Sequence, residues 1–378
     1  MSDPQPPKPK RFFTGPFDDW PNDDLLFDET QRDFFYRHHP RAAPIFDWPE
    51  LRALFKAHDP PASHFRSRSR RSGVIAVLCG SLSLVLTAIV GGGLLDGGGW
   101  PQRVLGALGA ALALLSFVVA VRGIMRGGFK ERWLAHRFWT ERMRQLHFQL
   151  IINHLPLAAR VVEDPAALPE WQALRARTLD EFVHRFMLPT DSALDRMRRD
   201  VADDQPWLTF AWATWPKVHA EETEALAELF EILKYQRFGI QRRYSELKLK
   251  PGFASPRTRS EMLRRWADNM TGGALILAAI AGILFLAAPL SPALKWVMVG
   301  GGLLSALILG LRVLDEGLQL KSETERYVWY LAAVEALERR YDGASVKGRV
   351  EILRDMERLS YQELRWFTTS FDEARFVM

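Results

Sequence analysis

The histidines are the residues of this chain whose type best suits chemistry, because an imidazole can act as a base or bind a metal. His38 and His39 are adjacent, so they point in different directions on a helix. His136, His147 and His154 have spacings that metal ligands can use, but no carboxylate pattern accompanies them. The histidines therefore predict no metal site and no catalytic residue, and we expect the chain not to be an enzyme.

Glycine motifs that hold phosphate are missing as well. The sequence has no P-loop and no GxGxxG after a strand pattern. The glycine triplets at 91–93, 97–99 and 300–302 lie in or beside apolar runs, where glycine serves close helix packing or turns. The single cysteine, Cys79, excludes an intramolecular disulfide and a thiolate metal cage. We expect no cofactor, and the alternative of a membrane enzyme acting on lipids lacks a matched acid, base or metal set.

Four apolar runs without a charged residue dominate the sequence, and they occur as two pairs. They cover residues 73–95, 104–121, 272–290 and 296–311. At about 1.5 Å of rise per helical residue, such runs match a hydrocarbon core of about 30 Å, the last of them with its flanks. One run alone is compatible with a buried helix of a large globule, but four in hairpin pairs favour membrane spans.

The average composition conceals this partition between lipid and water. Mean hydropathy is −0.12, because the apolar runs are offset by segments dense in Arg, Asp and Glu. The net charge is +5, and the basic residues lie mostly beside the apolar runs. Basic residues at that position orient a membrane protein, so the composition disfavours nucleic acid as a partner.

Arginines flanking the runs predict the topology. Those that we assign this role are Arg66, Arg68, Arg70, Arg71, Arg122, Arg126, Arg264 and Arg265. The two connections between paired runs carry only Arg103 and Lys295. Since positive residues stay on the cytoplasmic side, both termini and residues 122–270 are expected there. Residues 1–11 have no apolar core, so we expect no secretory signal peptide and insertion through the first span.

The second pair of runs repeats the first at an offset of 194 residues. This offset places Arg70 and Arg71 on Arg264 and Arg265. It also matches charged residues after each pair: Glu131, Arg132 and Glu141 with Glu325, Arg326 and Glu335. A few charge matches can arise by chance, but their agreement with the span register favours duplication. Because both pairs start from the cytoplasm, the repeats are parallel.

Strand patterns are nearly absent. The sequence predicts an all-α integral membrane protein with four transmembrane helices as two parallel-repeat hairpins and a cytoplasmic helical layer. The predicted parts are a disordered Pro-rich and acidic arm (1–24), N-terminal cytoplasmic helices (25–65), hairpin 1 (66–128), a central cytoplasmic helical domain (129–256), hairpin 2 (257–315) and C-terminal cytoplasmic helices (316–378).

Proline and glycine predict where the cytoplasmic helices begin and end. Residues 25–58 are rich in Phe, Trp and Leu and predict two short buried helices broken near Pro40 and Pro44, with a membrane-surface helix as the alternative. A helix is expected over 129–155, running out of the bilayer from span two, and another over 170–187. Ser255 and Pro256 are typical of the start of the helix that enters span three.

Further predictions concern the rest of the chain outside the spans. Asp191 suits the N-cap of a helix reaching residue 202, and Pro216 suits the first turn of a long helix reaching residue 249. The aromatic stretch from Trp207 to Trp215 predicts core packing, with an interfacial belt or partner groove as alternatives. After span four the chain is expected to continue helically to about Tyr341, followed by one or two final helices.

Small residues recur at every fourth position on three of the spans. They are Gly106 and Ala110 on span two, Ala274, Ala278 and Gly282 on span three, and Gly302, Ala306 and Gly310 on span four. Such residues let helix backbones approach closely, either within one chain or between subunits. The absence of ionisable residues within the spans disfavours a proton-coupled or ion-coupled transporter.

The helix after the first pair of spans has a rhythm of Arg and Glu residues, which are Glu131, Arg132, Arg137, Glu141 and Arg144, with Trp133 among them. The second copy is similar, but Leu331 stands at the position matching Arg137. A two-span hairpin followed by such a helix resembles the SLATT family of two-transmembrane effector domains associated with bacterial nucleotide-signalling defence. The resemblance implies an effector in the cell inner membrane that senses infection, oligomerises and permeabilises the membrane.

We therefore expect a multi-pass inner-membrane effector that is activated through its cytoplasmic helices. Its expected partners are the lipid bilayer, further copies of the chain, and a cytoplasmic protein or nucleotide signal. The alternative is a non-permeabilising anchor or scaffold for a cytoplasmic partner. The sequence does not name the signal, the partner or the stoichiometry.

Overall fold

A computed structural model describes residues 24–26, 29–92, 99–125, 128–187, 195, 207–208, 223–252, 255–289 and 291–373. Within these ranges the regular structure is helical and includes no strand. The helices are α1 (Glu29–His38), α2 (Ala43–Phe46), α3 (Pro49–Gly91), α4 (Trp100–Val119), α5 (Phe129–Asn153), α6 (Leu155–Glu163), α7 (Leu168–Phe182), α8 (Glu224–Leu233), α9 (Ile240–Leu249), α10 (Pro256–Ala287), α11 (Pro292–Leu318), α12 (Leu320–Asp342) and α13 (Val346–Glu373).

Three π-helical segments extend these helices. They are Ala120–Met125 after α4, Val183–Met187 after α7 and Lys234–Gly239 between α8 and α9. A π-helix inserts an extra residue into a turn and so redirects the side chains that follow.

The chain divides into two compact units. Unit 1 consists of residues 1–62, 134–255 and 324–369, and unit 2 consists of residues 63–133, 256–323 and 370–378. Four of the five boundaries fall inside helices α3, α5, α12 and α13, and the fifth lies directly before α10.

Unit 1 contains a conventional apolar core. Phe46, Leu51, Phe148, Trp171 and Phe230 are at most 1% exposed. They come from α2, α3, α5, α7 and α8, so segments distant in sequence build one interior. The predicted burial of the aromatic residues between 25 and 58 is confirmed for Phe35, Phe46, Trp48 and Phe55.

Unit 2 contains the four apolar helices. Helices α3, α4, α10 and α11 each have a segment long and apolar enough to cross a membrane. This confirms the prediction of four apolar helices in an all-helical chain. Their side chains are largely exposed, with Leu275 at 68% and Leu286 at 85%.

The backbone changes conformation after span two and after span four. The expectation that each of these spans continues as an unbroken helix into the segment that follows is therefore wrong. α4 passes into the π-helix Ala120–Met125, and Gly128 then has a φ of +57° before α5 begins. α11 ends at Leu318, where Gln319 has a φ of +52° and the left-handed conformation common at helix ends. Helix α3, by contrast, runs unbroken through Pro60 and Pro61.

Several smaller expectations need correction or lie outside the described residues. Thr223 is extended and caps α8 through its hydroxyl, so α8 begins at Glu224, and Pro216 lies outside the described residues. Ser255 precedes α10 as predicted, but its buried hydroxyl has no hydrogen-bond partner in the described chain. α13 is one helix, and α12 ends at Asp342 as predicted. Residues 1–23, Arg126, Asp191 and Trp215 lie outside the described residues.

Candidate functional site

A cluster of buried charged side chains lies within unit 1. Arg237 and Glu357 are 2% and 0% exposed, and Asp24 is 0% exposed. Charged side chains are rarely this buried unless they are paired, because removal from water is costly. The cluster is therefore the feature of unit 1 whose chemistry most needs explanation.

Helix α5 carries one edge of the cluster. Arg137, Glu141 and Arg144 follow the spacing i, i+4, i+7, which places them on one helix face. Glu141 accepts from both arginines, with nitrogen to oxygen distances of 2.5 Å to Arg137 and 3.0 Å to Arg144. One carboxylate thus neutralises parts of two guanidinium groups.

Asp24 is the second partner of Arg144. The Arg144 Nε donates to Asp24 Oδ1 at 2.9 Å, and Gln241 Nε2 donates to Asp24 Oδ2 at 3.4 Å. The Arg144 guanidinium also lies over the Phe55 ring, 5.1 Å from its centroid. Asp24 was predicted to end a disordered arm, and this prediction is wrong because Asp24 is fully buried.

The π-helix Lys234–Gly239 supplies the opposite edge. It places Arg237 in the interior, where Nε donates to Glu357 Oε1 at 2.5 Å and Nη2 donates to Ser360 Oγ at 2.6 Å. The same guanidinium lies 4.7 Å from the centroid of Phe148. Glu363, also on α13, pairs with Arg326 of α12.

Burial and pairing shift the pKa values of the carboxyl groups in opposite directions. Burial raises the pKa of Asp24, although Arg144 and Arg237 oppose it. Burial likewise raises the pKa of Glu357 against the opposing charge of Arg237. At Glu141 burial also favours the neutral acid, but Arg137 and Arg144 together outweigh it and lower the pKa. Glu141 is therefore the carboxylate most firmly held in its charged form.

A small polar cavity of about 30 Å³ lies within the cluster. Its lining consists of Arg137, Glu141, Arg144, Gln145, Arg237, Gln241, Tyr244, Tyr327, Tyr330, Ser360 and Glu363. Since a water molecule needs roughly 10–15 Å³ by this measure, the cavity has room for about two waters. The arrangement can bind water and balance charge.

The topology arginines differ in their surroundings within unit 2. Arg66 and Arg70 both donate to Glu323, at 3.2 and 3.1 Å, and Glu323 is 5% exposed. Arg68 lies over the ring of Phe129. The remaining described members, Arg71, Arg122, Arg264 and Arg265, are exposed.

The three small-residue stripes differ in their surroundings. A Cβ at Gly302 would lie 3.5 Å from Ala88, and one at Gly310 would collide with Ser81, so span four packs against span one there. Ala306 between them is 7% exposed. In contrast, nothing lies within 4 Å of a Cβ built at Gly106 or Gly282. Their neighbours Ala110 and Ala278 are exposed, and Ala274 is half-buried.

Positions matched by the offset of 194 residues have different environments. Arg132 is exposed, whereas Arg326 is buried and paired with Glu363. Glu141 lies within the charge cluster, whereas Glu335 is half-buried outside it and meets Arg339 at 3.9 Å. Glu131 and Glu325 are both exposed. The two sets of residues therefore serve different contacts.

The histidines do not gather. His136 Nδ1 lies 2.9 Å from His58 Nδ1, while His147 lies apart, between Phe46 and Trp48. His39 meets Glu228 at 3.6 Å. Within the described ranges no group of three or more His, Cys, Asp or Glu residues could hold a metal ion.

Sequence reasoning missed Asp24, Arg237, Glu357 and Glu363. A signal existed for Arg237, since on a regular helix it shares a face with Leu229 and Leu233. No family model, curated protein or solved structure matches this chain.

Proposed function

We propose that the protein is a bacterial inner-membrane effector of a defence-type system, activated through its cytoplasmic helices to oligomerise and permeabilise the membrane. In this proposal unit 1 lies in the cytoplasm with both termini, and the chain acts without a cofactor and without catalysis. A cytoplasmic protein or a nucleotide signal triggers it. The SLATT resemblance, the two hairpins and the positive flanks support these points.

Exposed tryptophans support membrane insertion. Trp100, Trp266 and Trp296 are 76%, 59% and 63% exposed, and each lies near the start of an apolar segment. Tryptophan is enriched at both membrane and water interfaces, where its ring is apolar and its N–H group can bond to water. Surroundings of lipid rather than water also explain the exposed leucines and phenylalanines of α10.

The observation that carries activation through unit 1 is the buried charge cluster. A buried ion pair contributes little net stability compared with apolar packing. We therefore infer that the pairs of the cluster select one arrangement of unit 1 over others. Switching needs two arrangements separated by a few kcal/mol, and breaking one buried pair changes the free energy by an amount of this size. A signal that alters one contact of the cluster can therefore change the state of unit 1.

Assembly is supported by the uncovered small residues. Gly106 and Gly282 have open space where a Cβ would stand, and they lie on different helices, α4 and α10. Small residues let helices of separate chains approach closely in lipid. We propose these two faces as the contacts of a homo-oligomer.

The experiment compares dye entry into cells that express the chain with and without its neighbouring genes and a trigger. Gly282→Leu should abolish dye entry and reduce oligomer size in mild detergent, because the larger side chain separates the faces. Gly272→Leu is the matched control, since Gly272 also lies exposed on α10 but outside the stripe. An intact membrane under every trigger, or equal effects of the two variants, would contradict the proposal.

A non-permeabilising anchor for a cytoplasmic partner is the second candidate. It is favoured by the packing of Gly302 and Gly310 against span one, because this packing makes a bundle within one chain. A strict monomer or dimer in detergent, together with a stoichiometric soluble partner, would support the anchor and contradict the pore.

A further inference from the structure

Residues 24–26 form a short buried segment inside unit 1. Asp24, Leu25 and Leu26 are 0%, 4% and 4% exposed. The segment contains no helix, and Leu26 has a φ of +55°, a conformation that residues with a Cβ rarely adopt. The docking of Asp24 and Leu26 therefore depends on contacts with other elements.

Three helices hold this segment. Arg144 of α5 donates to one oxygen of Asp24 at 2.9 Å, and Gln241 of α9 donates to the other at 3.4 Å. Arg52 of α3 donates through Nη1 to the Leu26 carbonyl at 3.0 Å. The segment thus bridges helices that are far apart in sequence.

Withdrawal of the segment would change the charge balance of the cluster. Arg144 would keep only Glu141 among its acidic hydrogen-bond partners, and Glu141 already accepts from Arg137. The buried guanidinium of Arg144 and the half-buried guanidinium of Arg137 would then share one hydrogen-bonded carboxylate beside the polar cavity. Because an unbalanced buried charge is unfavourable, the α5 face would have to rearrange or admit water.

The backbone at Leu26 favours release of the segment. Its left-handed φ costs free energy, and such a conformation persists only where the surrounding structure holds it. We propose that residues 24–26 form an autoinhibitory latch, which holds unit 1 in its resting arrangement while docked and activates the effector when withdrawn. This inference rests on the proposed function.

The first measurement reports docking. In a Cys79→Ala chain, Leu25→Cys places a thiol at a buried position, and its reaction with a water-soluble maleimide measures withdrawal. Asp24→Asn, which keeps the side-chain shape and removes the charge, should raise the labelling rate about tenfold or more. Gln241→Met, which removes the longer contact, should raise it less. Glu29→Gln, at an exposed carboxylate on nearby α1, should leave it unchanged.

Hydrogen exchange in the chain without the Leu25→Cys change guards against damage by the new cysteine. Asp24→Asn should increase exchange over residues 137–149 of α5, while the helical circular dichroism stays that of the wild type. Equal labelling and equal exchange in Asp24→Asn and Glu29→Gln overturn the latch. Global loss of helical signal in Asp24→Asn also overturns it, because the segment would then be an ordinary part of the core.

Dye entry separates the latch from the proposed function. With the latch, cells carrying Asp24→Asn admit dye without a trigger. If the triggered wild type admits dye and Asp24→Asn does so only with a trigger, despite raised labelling, the inhibitory role is overturned. If no variant admits dye under any trigger while labelling and α5 exchange still rise, the proposed function fails and the conformational coupling of the segment stands.

Discussion

The two units treat charged and apolar side chains in opposite ways. Unit 1 hides Arg237 and Glu357 at 2% and 0% exposure, whereas unit 2 leaves Phe285 and Leu286 at 63% and 85%. In water both choices are unfavourable. For unit 2 the cost of exposing apolar side chains disappears when lipid is the surrounding solvent, because lipid tails are as apolar as leucine. For unit 1 the cost of burying charge remains, so its buried charges depend on specific partners.

This contrast predicts different sensitivities. The interior of unit 1 should respond strongly to the loss of one charged partner and to pH. The span helices of unit 2 should lose little stability when one polar side chain is removed, because they contact each other through small residues and single hydrogen bonds. Four substitutions test the contrast.

Arg237→Met should have the largest effect. It leaves the Glu357 carboxylate buried without its only charged hydrogen-bond partner among the described residues, and breaking such a pair costs about 3–5 kcal/mol. Chemical denaturation of the purified chain, followed by the helical signal, measures the loss. Arg339→Met is the control, because Arg339 is 73% exposed as a side chain and its pair with Glu335 at 3.9 Å is weak.

The double variant Arg237→Met with Glu357→Met sharpens this test. Removing both charges should recover much of the lost stability, since apolar side chains of similar volume are tolerated where an ion pair was buried. A double variant as unstable as Arg237→Met alone would mean that packing, rather than unpaired charge, explains the first result.

His147 predicts a pH effect in unit 1. The residue is 1% exposed, and neither ring nitrogen has a hydrogen-bond partner among the described residues. Burial, with the nearby charges of Arg175 and Arg237, lowers the pKa of His147 to about 3 from 6.5. Below pH 6.5 the unfolded chain therefore binds a proton that the folded chain does not, and stability falls as pH drops toward 3, by about 1.4 kcal/mol per unit.

His147→Leu should remove this part of the pH dependence. The difference in unfolding free energy between variant and wild type should shift in favour of the variant as pH falls from 6.5 to 4.5. His184→Gln is the control, since His184 is 66% exposed as a side chain. A parallel pH dependence in wild type and His147→Leu would contradict the assignment.

The sequence predicted the four apolar helices and the helical class because long uncharged runs have few alternatives. It did not predict the unbroken helix α3. Pro60 and Pro61 remove two backbone donors, so local reasoning favours a break there, yet the helix continues. It also did not predict the left-handed Gln319, because glycine is the usual residue in that conformation.

The candidate site was less predictable than the fold. Helical periodicity places Arg137, Glu141 and Arg144 on one face, but it cannot say whether that face is exposed. Their burial depends on Asp24, 120 residues earlier than Arg144, and on Arg237, which is placed by a π-helix. Such partners become neighbours only through tertiary folding, so spacing alone could not identify them.

Glu323→Gln tests the charged contact in unit 2. Glu323 accepts from Arg66 and Arg70, and a hydrogen bond to a charged group contributes about 1.5–3 kcal/mol. The amide keeps one acceptor, so we expect a loss of about 2 kcal/mol in detergent unfolding. Glu316→Gln, at an exposed carboxylate on α11, should be near neutral. If Glu323→Gln and Glu316→Gln lose equal stability, the carboxylate shared by Arg66 and Arg70 contributes no more stability than an exposed surface charge.

Ser83→Ala should have the smallest effect, because hydrogen bonds between membrane helices average about 0.6 kcal/mol. Ser83 Oγ donates to the Gly109 carbonyl at 2.8 Å and so joins α3 to α4. Ser305, exposed on α11, is the matched control at which alanine should change nothing measurable. A loss at Ser83 as large as that of Arg237→Met would remove the contrast between the units, because the spans would then depend on single polar contacts as strongly as the charge cluster does.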